Sequence, residues 1–266
     1  MLNNYFQHQA HIVDIECNFR CPDDCDTPGC RKVDIIVEVT LFDLIRLARF
    51  LNTPVSYLFS QYCHLGLMIY EDNIHYKRLL IKMKKPCLFL SGNQCLVHDA
   101  KPLNCTLFPE LYQIKGLLPK LSKNPLFYTF PCLKKPIDIS RKRINALKKL
   151  RRMSSQEQAL SHAYLFGVPS FIIDEKPLRK KLRRSHPKQR NLSLQDYDNL
   201  LNELLNSYGF IEGVMEKISR LDAESEIKNL FEKLSDRVMM KYLVEKMVRP
   251  VVVHRFERDD IKQLKR

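Results

Sequence analysis

The stretch Cys17-Asn18-Phe19-Arg20-Cys21-Pro22-Asp23-Asp24-Cys25-Asp26-Thr27-Pro28-Gly29-Cys30 places four thiols within fourteen residues, separated by three, three and four positions. Spacing of this kind lets sulfurs from one tight loop converge on a single ion at about 2.3 Å. A looser set, Cys87, Cys95, Cys105 and Cys132, follows, and the remaining 134 residues contain no cysteine. The chain thus reads as a chemically specialised half and an ordinary half. We expect a cysteine-cluster metal-binding domain over residues 1–136 and a basic helical region over 137–266. The fold class that follows is α+β, mostly α: a loop-rich cysteine half with short strands, then an all-helical C-terminal half.

With 266 residues and 45% hydrophobic content, the chain can bury a core without covalent staples. The opening Met1-Leu2-Asn3-Asn4-Tyr5-Phe6 lacks the basic and apolar regions of a secretory leader. No apolar run approaches the roughly 18 residues a membrane span requires, so no transmembrane segment is expected and the expected location is cytoplasmic. In a reducing compartment clustered cysteines serve metals or redox chemistry more often than disulfides.

The formal charge of +14 is unevenly placed: residues 141–190 carry fifteen Lys or Arg against Glu157, Asp174 and Glu175. Such a concentration attracts an anionic partner, nucleic acid or acidic protein, although a solvated helix face is the plainer alternative. Arg141, Lys142, Arg143, Lys148, Lys149, Arg151 and Arg152 on one helix and Arg179 to Arg184 on the arm that follows are the candidate contacts. No aromatic residues interleave them as a stacking platform.

Local signals sketch the elements. Val33–Thr40 is rich in Ile and Val and predicts a short strand. Thr40 and Asp43 predict a capped helix with an apolar face of Leu41, Leu44, Ile45, Ala48 and Leu51. Thr53-Pro54 predicts another, with proline at its first position. Residues 70–85 fit neither period well and lean to strand. Cys87–Leu90 and Cys95–His98 read as two strands joined by Ser91-Gly92-Asn93-Gln94, which places Cys87 near Cys95. Prolines bracket Cys105 in a constrained turn, and a proline-rich loop carries Cys132. Ser140 predicts a helix cap, Ser154 with Glu157 a capping box for a second helix, and Gly167 its end. Pro177–Arg190 reads as an exposed linker or arm. Ser193 with Asp196 opens a helix bearing Leu200, Leu201, Leu204 and Leu205. One long final helix is expected over 223–248, with Ile227, Leu230, Phe231, Leu234, Val238 and Met239 on one face.

Phe19-Arg20-Cys21-Pro22-Asp23-Asp24-Cys25, continuing through Cys30, resembles the opening of the YkgJ-like cysteine-cluster proteins, a zinc- or iron-chelating domain named for its CxxCxxCC pattern. The second half of that domain is similar to Cys87-Leu88-Phe89-Leu90, Cys95-Leu96-Val97-His98, Lys101-Pro102-Leu103-Asn104-Cys105 and Phe108-Pro109, with Cys132 after Pro131. Cys30-Arg31 stands where the family has Cys-Cys. The resemblance spans about residues 17–135. It implies metal ligation by Cys17, Cys21, Cys25, Cys30, Cys87, Cys95, Cys105 and Cys132, by an iron–sulfur cluster or zinc. Likeness to the flagellin lysine methylases leans the reading to iron–sulfur.

Thiolates drawn together repel one another unless a cation neutralises them, and a metal also supplies folding free energy. Cys63 lies outside both groups and reads as a small buried hydrophobe. His98 is an optional further ligand, and His64 reads as a hydrogen-bonded histidine. The function expected is therefore metal binding. The alternatives are a cluster-dependent enzyme of methyl transfer or redox type, with unknown catalytic residues and no glycine-rich cofactor loop among seven glycines, and a nucleic-acid-binding metalloprotein.

Overall fold

In the computed structural model, which describes residues 2–17, 19, 25–70, 73–114, 130–134, 138–185, 194–249, 252–256 and 261–265, the chain begins with helices α1 (Leu2–Asp14), α2 (Pro28–Arg31), α3 (Leu41–Leu51) and α4 (Val55–Tyr62). Strands β1 (Cys63–Tyr70) and β2 (Asn73–Met83) come next, then β3 (Leu90–Ser91), β4 (Gln94–Cys95) and a single tight turn at His98–Ala100. Three short helices follow: α5 (Leu103–Leu107), α6 (Glu110–Gln113) and α7 (Pro131–Lys134). The rest comprises α8 (Arg141–Phe166), β5 (Ile172–Asp174), α9 (Glu175–Ser185), α10 (Leu194–Ser207), α11 (Phe210–Arg220), α12 (Glu224–Ser235), α13 (Arg237–Val248), β6 (Val252–Phe256) and β7 (Ile261–Lys265). The fold is α+β and mostly helical.

Five strands form one sheet in the order β1-β2-β5-β6-β7, antiparallel except for the parallel pair β5–β6. The C-terminal half is therefore not all-helical. The three-residue β5 is too short to announce itself, and its pairing comes from β2, far away in sequence. A domain boundary at 136/137 falls beside residues 135–137, which lie outside the described residues. One hydrophobic core takes Leu44, Leu65 and Leu79 from one side of it and Leu160, Ile173, Leu201 and Phe231 from the other. A second, smaller core joins Ile12 of α1 and Leu103 and Leu107 of α5 to Leu147 and Leu150 of α8.

Where the cue is local, the element forms as expected. The Thr40 hydroxyl accepts the Asp43 N–H while Asp43 accepts the Thr40 N–H, a complete capping box at the start of α3. Ser140 caps α8 by accepting from Arg143 N–H, and Gly167 ends that helix with φ +75°, a conformation that favours glycine. The β3–β4 hairpin turns at Gly92-Asn93, but its strands shrink to two residues each.

Other expectations change. Val33–Thr40 is no strand: it makes one bridge, Glu38 to Lys82, flanked by backbone bonds from Val39 N–H to Ile81 O and from Met83 N–H to Val37 O. Pro54 is the residue before α4 rather than its first. Ser154 does not start a helix. It is buried inside a continuous α8, and the Glu157 carboxylate reaches across the fold instead of back to a cap. The expected final helix is two, because the Asp236 side chain accepts Val238 and Met239 N–H and opens α13. That break shifts the apolar phase, so Met240, Leu243 and Met247 are buried while Val238 is 82% exposed. Pro177, in the first turn of α9 where its missing N–H does no harm, lies in a helix rather than a linker, and residues 186–193 lie outside the described ones. No helix among the described residues is long and apolar enough to cross a membrane.

Candidate metal centre

The two cysteine groups are joined first by backbone. Cys87 N–H donates to Cys30 O at 2.8 Å. Around that bond, Arg31 extends from α2 to the hairpin turn, donating to Gly92 O at 2.7 Å and to Asn93 Oδ1 at 3.0 Å. The Lys85 ammonium donates to Gly29 O. Gly29 is packed under Phe130: a Cβ there would stand 3.5 Å from the Phe130 ring, which is itself edge-on to Phe108 at 5.2 Å. Gln113 Nε2 then holds Cys132 O at 2.7 Å, two residues beyond Phe130.

The α5 helix that carries Cys105 is fixed from two sides. Leu103 N–H donates to Asp43 Oδ1 at 2.8 Å, and Asn104 Nδ2 donates to Glu38 O at 2.9 Å. Asp43 thus closes the α3 cap and seats α5, with Arg46 Nη2 at 2.8 Å from its Oδ1. A residue legible in the sequence as a cap is also a positioning group for the thiol region.

Burial pushes the Cys105 thiol up to about 12; Lys85 works against that, and the Cys30 and Cys87 sulfurs add to it. Cys30 of the first group and Cys87 of the second are thus adjacent through their backbones, and both add, after burial, to the upward shift of the Cys105 thiol. Cys95 joins at the edge: burial raises its pKa, and Cys87 contributes in the same direction. Cys25 and Cys132 are buried, and Cys17 is exposed. Cys21 lies outside the described residues. Cys63, outside both groups, is buried at the start of β1, and its thiol is pushed up to about 12, chiefly by burial, with Cys87 acting in the same direction. His98 is exposed beside Asp99 and Lys101.

Among the described residues, no group of three or more Cys, His, Asp or Glu side chains converges tightly enough to hold a metal ion. The donor chemistry nevertheless suits a thiophilic metal: the thiol-bearing Cys30 and Cys87, distant in sequence, are joined through their backbones, and Thr27, whose carbonyl accepts Cys30 N–H at 2.9 Å, has a buried hydroxyl without a hydrogen-bond partner among the described residues. Thr27 also holds φ +53° as it enters α2, in the left-handed region that costs a β-branched residue about 1–3 kcal/mol.

Sequence reasoning missed two buried ionic centres. Lys82 Nζ lies 2.7 Å from Asp198 Oδ2, with His64 Nε2 at 3.3 Å from the same oxygen. Arg143 is not a surface cation: it is 2% exposed, grips Glu110 through Nε and Nη2, and donates to Val13 O and Ile15 O. Hence it leaves the set of basic residues open to an anion. No family model, curated protein or solved structure matches the chain.

Proposed function

We propose that this chain is a metal-binding protein in which Cys30, Cys87 and Cys105 hold zinc or an iron–sulfur cluster, completed by a thiolate from Cys21, Cys95 or Cys132. The observation that carries the reading is the 2.8 Å bond from Cys87 N–H to Cys30 O, which ties the first thiol group to the second. A bound cation removes the conflict among the thiolates, and deprotonated sulfur is the form a metal takes. Both ions accept thiolate sets, and the iron–sulfur lean rests on the family resemblance alone.

Metal analysis of anaerobically purified full-length protein, with a visible spectrum, tests this. A brown protein with iron and sulfide, or a colourless one with stoichiometric zinc, is the expected outcome and separates the two options. Cys105→Ser and Cys87→Ser lose the metal, and Cys63→Ser keeps it. Wild-type protein that folds without metal and takes up neither iron nor zinc on reconstitution would sink the proposal.

A further inference from the structure

We infer that the cleft between β2 and α9 is a binding site for the phosphate backbone of duplex nucleic acid, read through charge and without base contacts. This rests on features separate from the thiol region.

The cleft has a volume of about 470 Å³ and is lined by Lys77 of β2 and by Lys176, Arg179, Lys180, Arg183 and Arg184 of α9, with Glu175 as the one carboxylate in its lining. Glu175 is already neutralised: Lys77 Nζ stands 3.6 Å from its Oε2 and Arg179 Nη2 3.0 Å from its Oε1. Lys176, Lys180, Arg183 and Arg184 have no carboxylate partner among the described residues, and all four are exposed. The positive charge in the concavity is thus uncompensated. Concave walls of low dielectric focus such a field, which raises the local concentration of an oppositely charged ligand.

The arrangement favours a polymer over a single anion. Positions 176, 179/180 and 183/184 recur once per helical turn, so the cations run along one side of α9 for about 12 Å at a rise of about 1.5 Å per residue. A lone phosphate would meet one turn of that row; a backbone meets all of it. Among the described residues α9 offers no bilayer anchor, since Leu178 is fully buried against the core. Among the described residues no aromatic side chain lines the cleft, so bases have no stacking surface there and contact is with phosphates, as in sequence-independent duplex binding.

On α8, Arg141, Lys148, Lys149, Arg151 and Arg152 are exposed, but none of them lines the cleft. Arg143 is buried on Glu110, and Lys142 lies 3.4 Å from Glu16. The anionic partner expected somewhere in residues 141–190 is therefore assigned to the α9 end.

Fluorescence anisotropy of the full-length protein with a labelled duplex DNA of random sequence is the test. About four phosphate contacts give a slope of log K on log salt near −3.6, roughly a hundredfold loss of affinity between about 50 and 200 mM. The triple variant Lys180→Ala/Arg183→Ala/Arg184→Ala should bind at least about tenfold more weakly and flatten the slope by close to three. The equally charged control Lys148→Ala/Lys149→Ala/Arg152→Ala on α8 should change affinity by less than about threefold. Equal losses in both triples would show attraction by net charge alone and overturn the assignment. So would affinity indifferent to salt, or binding to phosphatidylserine vesicles without binding to duplex DNA. All six positions are exposed, and circular dichroism checks that each variant is folded.

Discussion

Replacing Glu157 with glutamine should remove most of the pH dependence of stability that this carboxyl imposes. Glu157 is 1% exposed. Its Oε1 accepts Tyr5 Oη–H at 2.7 Å and Gln9 Nε2–H at 3.0 Å, and its Oε2 lies 3.2 Å from Thr40 Oγ1. The Thr40 hydroxyl also stands 3.0 Å from Asp43 Oδ2. With one proton to give, it cannot serve both carboxylates. Asp43 has Arg46 as counter-ion, so Glu157 is the member that gains by holding its own proton and donating to Thr40. Burial, followed by the Asp43 charge, pushes its pKa up from 4.5 to about 7. At about 1.4 kcal/mol per tenfold change in proton affinity, that is a stability contribution of about 3 kcal/mol.

The direction follows from linkage. The folded chain binds this proton more tightly than the unfolded chain, so the contribution is full below about pH 4.5 and is lost as pH rises through about 7. Glutamine reproduces the protonated form, accepting at Oε1 and donating from Nε2 to Thr40. Urea denaturation of wild type and Glu157→Gln at about pH 5 and about pH 8 isolates the effect, because other titrating groups are common to both. The variant should gain about 3 kcal/mol on wild type between the two conditions. A difference that stays constant within about 0.5 kcal/mol, or moves the other way, would refute the reasoning.

Two further substitutions probe the buried ion pairs. A Cβ on Gly66 would stand 2.5 Å from both Cδ and Cε of Lys82, and that side chain cannot swing aside while Nζ is held 2.7 Å from Asp198; Gly66→Ala should lower stability by about 3–5 kcal/mol, the scale of breaking a buried pair, read from the urea midpoint. Arg143→Met should cost a similar amount by leaving Glu110 buried and unpaired, whereas Arg143→Met/Glu110→Leu should recover most of the loss, and a double variant as unstable as the sum of the singles would show that the two side chains do not act together.

Much of the helical content was legible because its cues act within one turn. Thr40 with Asp43, Ser140 with Arg143 N–H, and Gly167 are all bonds or conformations settled by near neighbours. The same cue misled at Ser154: Glu157 has capping spacing, but Tyr5, Gln9 and Thr40 offered its carboxylate partners that only tertiary structure supplies. Residues 70–85 resisted a periodic reading because Leu79, Leu80, Ile81, Lys82 and Met83 are all buried. There β2 pairs with β1 on one edge and is bonded on the other by Phe171 O and the Val37–Val39 segment, and successive side chains on both faces are buried, so alternation vanishes.

From the order of its residues alone, the chain determines its capped helices, the turn at Gly92-Asn93 and a thiol-rich half distinct from a cation-rich one, since these depend on composition and on partners a few positions apart. Only the tertiary structure decides that Cys30 is bonded through its backbone to Cys87, that β5 inserts between β2 and β6, and that Arg143 is spent on Glu110 while Lys180, Arg183 and Arg184 stay open to solvent. Those outcomes come from pairing groups far apart along the backbone, where burial and charge compensation across the whole fold choose among partners that no local pattern distinguishes.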